Sequence, residues 1–84
     1  MTQVLQRPDW RGEPIAVGDW FRLHKDKSER QIEAACRLFT HQLGRELRLE
    51  IDGSLQRSQV CRTQDEVLDT SDEWKAAMIE KGWG

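Results

Sequence analysis

Apolar and polar residues alternate most regularly in the second half of the chain. Arg45-Glu46-Leu47-Arg48-Leu49-Glu50-Ile51 has period two, the pattern of a half-buried strand. Asp52-Gly53 follows, a dipeptide that tolerates the positive φ of a tight hairpin turn. Ser54 to Arg62 returns as a second strand. With a two-residue loop, Ile51 pairs with Ser54, Leu49 with Gln56 and Leu47 with Ser58. Val60 then joins the Leu47/Leu49/Ile51 face, while Leu55 and Cys61 point the other way. That conflict predicts a β-bulge, or a sheet partly covered on both faces.

Thr63-Gln64-Asp65-Glu66 is a capping box that opens a helix. Val67, Trp74 and Met78, at i, i+7 and i+11, make one apolar stripe flanked by Leu68, Ala77 and Lys81. Thr70-Ser71-Asp72-Glu73 is a second capping pattern inside it, which predicts a kink near Thr70. Gly82 suits the left-handed position that ends a helix, and Trp83 can fold back on the last turn.

The first half is less regular. Residues 1–18, punctuated by Pro8, Gly12, Pro14 and Gly18, read as an irregular arm anchored by Trp10 and Ile15. Asp19 to His24 reads as a short strand, and Lys25 to Arg30 as a polar turn. Residues 28–43 allow two readings. Ser28 with Gln31 fits a capping box, Ile32, Cys36, Phe39 and Leu43 fall at helical spacing, and Gly44 is a natural stop. The local pattern favours that helix. In the competing reading, Cys36 to Thr40 is a strand that turns at His41 to Gly44 and pairs with Glu46 to Ile51.

Cys36-x-Leu38, His41-x-Leu43-Gly44-x-Glu46-x-Arg48-Leu49, Asp52-Gly53-x-Leu55, Ser58-x-Val60 and the ending Trp74-x-x-x-Met78-x-x-x-Gly82-Trp83 resemble a set of small bacterial proteins of unknown function. The resemblance covers about residues 34–83. It departs at Gln42, where the set suggests proline, and at Arg45, where it suggests an aromatic. It implies that residues 34–41 form the first strand of an antiparallel meander, and it carries no activity. With it, the expected fold is α+β: an antiparallel meander of three strands, four if Asp19–His24 joins, with the C-terminal helix packed on one face. The whole chain, residues 1–84, is expected to be one domain.

Eighty-four residues make one small domain that buries roughly 60% of its unfolded surface. At 37% hydrophobic and 33% charged, the chain fits a soluble globular protein rather than a disordered one. No apolar run approaches the roughly 18 residues of a membrane span. Met1 to Pro8 contains no apolar leader region, which points to the cytoplasm and to reduced thiols. The net charge of −2 divides unevenly: residues 30–62 carry +2, with six arginines, and residues 63–84 carry −4.

Little catalytic chemistry can be assembled. Cys36, Cys61, His24 and His41 lack the paired spacing of zinc modules, so no metal or other cofactor is expected. Cys36 and Cys61 read as buried reduced residues. In the meander, the strand at 45–51 separates them by two strand spacings, too far for a disulfide. The glycines stand singly, so no phosphate loop exists. The expectation is a non-enzymatic interaction module that self-associates as a homodimer. Four tryptophans cannot all be core in so small a chain. Trp74 belongs to the helix stripe, which leaves Trp10, Trp20 and Trp83 as candidate interface residues. The alternative is a weak nucleic-acid-binding protein using an arginine-lined sheet of Arg37, Arg45, Arg48, Arg57 and Arg62. Against it stand the acidic total charge and the interleaved Glu46 and Glu50, which make alternating charge on a solvated face the simpler explanation.

Overall fold

The computed structural model describes residues 12–84. Four strands run antiparallel in sequence order: β1 (Ala16–Lys27), β2 (Arg30–His41), β3 (Gly44–Ile51) and β4 (Ser54–Cys61). A single helix, α1 (Gln64–Glu80), follows and packs against one face of the sheet. The class is α+β, with the fourth strand present. β1 is longer than the Asp19–His24 segment expected, and Ala16 to Gly18 belong to it rather than to an irregular arm.

The helix that the local pattern favours over Ser28 to Leu43 is not formed; β2 occupies that stretch, as the meander requires. Ile32, Ala34, Cys36, Leu38 and Thr40 alternate toward α1, and the last four are buried. The same segment therefore satisfies two periodicities. The strand prevails because β2 is central, with β1 and β3 satisfying its backbone groups on both sides. The helical set would bring in Leu43, which lies in the β2–β3 turn and is exposed.

Three bulges set the register. Val17 and Trp20 are extra residues in β1, and Gln56 is extra in β4, so Leu49 pairs with Arg57 and Leu47 with Gln59. The bulge inferred from the alternation is real. Its position puts Cys61 opposite Arg45 on the helix side and Val60 opposite Glu46 on the other, reversing the expected faces of those two residues. Leu55 points away from the core, as expected, and is exposed.

Two hairpin turns have left-handed backbones. Asp52 (φ 49) and Gly53 (φ 84) form the β3–β4 turn. The β1–β2 turn uses Ser28 (φ 50) and Glu29 (φ 64), neither of which carries the usual Asn-Gly chemistry. An L-residue held there costs roughly 1 kcal/mol or more. Glu29→Gly is therefore expected to stabilise the protein by about 1 kcal/mol, read as a higher urea midpoint with an unchanged slope. A lower midpoint would mean that the Glu29 side chain contributes more than its backbone costs.

Helix α1 is tied at both ends. The Thr63 hydroxyl accepts from the Glu66 amide at 3.1 Å, and the Glu66 carboxylate accepts from the Arg62 amide at 3.0 Å, one residue earlier than the standard box. The helix runs unbroken through Thr70; Ser71, instead of capping, donates to the Leu68 carbonyl at 3.0 Å. At the other end the Trp83 amide bonds the Met78 carbonyl (3.1 Å) and the Gly82 amide the Ile79 carbonyl (3.0 Å), a Schellman pair with Gly82 at φ +97. The last turn holds no basic residue of its own. Lys25 of β1 supplies the cation, its Nζ donating to the Lys81 carbonyl at 2.8 Å. Gly84 then exchanges two backbone hydrogen bonds with His24, of 2.7 and 2.8 Å, covering that point of the outer edge of β1.

The core lies between sheet and helix. Leu23, Ala34, Cys36, Leu38, Leu47, Leu49 and Cys61 face Val67, Trp74, Met78 and Trp83, with Phe21, Ile32 and Ile51 at the margin. No helix is long and apolar enough to cross a membrane among the described residues.

Candidate interaction surface

The side of the sheet turned away from α1 carries the notable chemistry. Strand pairing sets its rows. Arg22, Ala35, Glu50 and Leu55 form one; Asp19, Arg37, Arg48 and Ser58 the next; Ala16, Phe39, Glu46 and Val60 the third. Among the described residues, no element lies over them.

Phe39 is the aromatic centre of this face. The Arg48 guanidinium sits 4.1 Å from its ring centroid and that of Arg37 5.3 Å away, so two cations flank one half-buried ring. Ion pairs hold both arginines in place. Arg48 Nε donates to Glu46 at 2.9 Å, and Arg37 reaches Asp19 at 3.4 Å and Glu50 at 3.7 Å. Arg22 bonds Asp19 at 2.9 Å and also pairs with Glu33, which lies 3.2 Å from His24 Nε2. The Arg22 guanidinium holds the Asp19 carboxyl below its ordinary range, and Asp19 in turn raises Arg22. The lattice sets four carboxylates against three guanidiniums and a histidine. The exposed pairs of Arg22 are worth little for stability, and the Arg48–Glu46 pair is partly buried. Together they make the face nearly neutral and hold long side chains in place.

The five candidate arginines do not form one surface. Arg37 and Arg48 lie opposite each other on the open face. Arg45 and Arg57 project to the helix side, where Arg57 stacks 4.6 Å from the Trp74 ring, and Arg62 is exposed beyond the end of β4. The candidate tryptophans are dispersed as well. Trp83 is buried against the core, beneath Lys25 at 5.9 Å. Trp20, in its bulge, donates from its indole nitrogen to Ser71 at 2.8 Å and keeps about a third of its surface exposed. Trp10 lies outside the described residues. Sequence reasoning missed Phe39, which entered only as part of a helical spacing. Its flanking by arginines depends on the β2–β3 register.

Both cysteines are free and buried, as expected, although Cys61 reaches the helix side only through the Gln56 bulge. Burial pushes the Cys36 thiol up to about 12, and Cys61 is raised for the same reason. Such thiols are poor nucleophiles. A group whose pKa rises on folding binds its proton more tightly in the native state. Stability should therefore be lost as pH climbs from the ordinary thiol value of 9.0 toward about 12, and not below. A thiol reagent at pH 8 should label neither cysteine until urea unfolds the chain; rapid labelling of the native protein would contradict this burial. No group of three or more metal-ligating side chains is assembled among the described residues.

Comparison with protein-family models, curated proteins and solved structures finds no match.

Proposed function

We propose that this protein is a non-enzymatic interaction module that self-associates through the open face of its sheet. The carrying observation is the Phe39 ring flanked by Arg37 and Arg48 at the centre of a face that no described element covers. Aromatic and arginine side chains dominate the energetics of protein interfaces, and here they come already ordered.

The shape of the molecule supports this reading. The described chain is a slab of 45 × 28 × 16 Å with a radius of gyration of 13.9 Å, against about 11 Å for a compact chain of its size. The broad side can supply the roughly 800 Å² per partner of a stable interface. Near parity of charge on the face lets a second copy, related by a two-fold axis, set acids against arginines. A polyanion gains no such advantage, because the arginines divide between two sides and those of the open face already hold carboxylates. The sheet edges are less suited. The Gln56 bulge interrupts β4, and Gly84 covers β1 at His24. Two free buried thiols suit a cytoplasmic setting.

Sedimentation velocity tests the proposal. The parent should form a concentration-dependent dimer. Arg48→Glu should shift it to monomer, and adding Glu46→Arg to that variant should restore part of the association. Leu68→Asp, on the exposed outer side of α1, should leave the dimer intact. A parent that stays monomeric at millimolar concentration, or that binds labelled RNA or DNA in a salt-dependent manner abolished by Arg48→Ala, would overturn it.

A further inference from the structure

The sheet extends past the C-terminal end of α1 on the helix side. The row of Lys25 and Ile32 lies where the helix ends, since Lys25 reaches the Lys81 carbonyl. The next row on this side, Lys27 with Arg30, is the last before the β1–β2 turn. There the β1–β2 and β3–β4 turns enclose an open cavity of about 450 Å³ lined by Lys27, Ser28, Arg30, Ile32, Ile51 and Asp52. That volume lies within the range of small-molecule sites.

Its chemistry is divided. Ile32 and Ile51, both half-buried at the margin of the core, form an apolar floor. The rim carries two cations and one carboxylate. Asp52 is already engaged on both oxygens, one at 2.7 Å from Arg30 and the other accepting the Glu33 amide at 3.2 Å. Arg30 keeps 72% of its side chain exposed, leaving donors available. Lys27 has no ion pair among the described residues. The side chains that line the cavity therefore sum to one net positive charge. The left-handed Ser28 and Glu29 form the turn that makes one wall, and strained backbone of this kind concentrates at ligand sites.

We infer that this cavity binds a short-chain aliphatic carboxylate, its chain on Ile32 and Ile51 and its head group between Lys27 and Arg30. A cationic or neutral molecule with the same chain satisfies the floor and leaves the rim unmatched. The site faces away from the proposed dimer surface, so the two can fail independently.

The test is a methyl NMR titration of the full chain with sodium hexanoate, hexylamine and 1-hexanol. Hexanoate should shift the Ile32 and Ile51 methyls saturably, while the exposed Ile15, which bonds Thr40 at the other end of β2, stays fixed. Lys27→Gln with Arg30→Gln should weaken hexanoate roughly tenfold or more, because hydrogen bonds to charged groups are lost. Arg48→Glu should leave it unchanged. Equal shifts from hexylamine, shifts that never saturate, or undiminished binding by the double variant would overturn the assignment.

Discussion

Trp74→Ala is expected to leave the protein largely unfolded at 37 °C. Trp74 is only 3% exposed and lies in the cluster that joins Val67 and Met78 of α1 to Leu47 and Leu49 of β3. Arg57 covers its ring from β4 at 4.6 Å, so the indole is packed on both sides. Truncating a buried tryptophan costs roughly 3–5 kcal/mol. A core this small supplies a total stability of about 5 kcal/mol at most. Loss of the far-UV helical signal with temperature is the readout. Glu73→Ala, one residue away on the exposed side of the helix, should melt with the parent. A Trp74→Ala protein melting within a few degrees of the parent would mean that α1 is not anchored by this residue.

Gly44→Ala should be comparably damaging for a different reason. Gly44 opens β3 at φ +140, and a Cβ there would lie 2.4 Å from the Cys61 carbonyl oxygen and 3.2 Å from Arg62 Cα. Both obstacles are backbone, in the segment where β4 ends and the cap of α1 begins. Relief requires moving the start of the helix away from β3. We expect a loss of about 3 kcal/mol or more. Gly53→Ala is the matched control. Its φ of +84 is also left-handed, yet nothing lies within 4 Å of the added Cβ. It should cost only about 1 kcal/mol. Urea denaturation of the two variants separates steric exclusion from backbone preference, and equal losses would rule out the close contact at Gly44.

These residues also show which parts of the fold are legible in sequence. The Asp52-Gly53 turn, the Thr63 cap and the Gly82 stop are set by interactions within a few residues, and each forms where local chemistry places it. β2 is different. Ile32 and Cys36 belong equally to a helical stripe and to a period-two strand face, and only the neighbouring strands decide between them. The Ser28-Glu29 turn has no glycine or asparagine to announce it. The alternation of Leu55, Val60 and Cys61 points to a bulge or to a sheet covered on both faces but not to Gln56 as the extra residue, and that one position decides which of Val60 and Cys61 is core. Glycine at 44 reads as a helix stop or turn residue, whereas its role comes from Cys61, seventeen positions later. Counting tryptophans points to an interface, yet Trp83 serves the core and Trp20 the flank of the helix. The Arg37, Phe39 and Arg48 cluster spans two strands, so no single segment of sequence contains it.

The central claim is that a second copy covers the open face. Isotope-filtered NOE measurement on a mixture of labelled and unlabelled protein addresses it directly. Contacts between chains are predicted from the Phe39 ring and the Val60 methyls, with none from Trp83 or Met78. Intermolecular contacts confined to Trp20 and α1, or to the outer edge of β4, would contradict it.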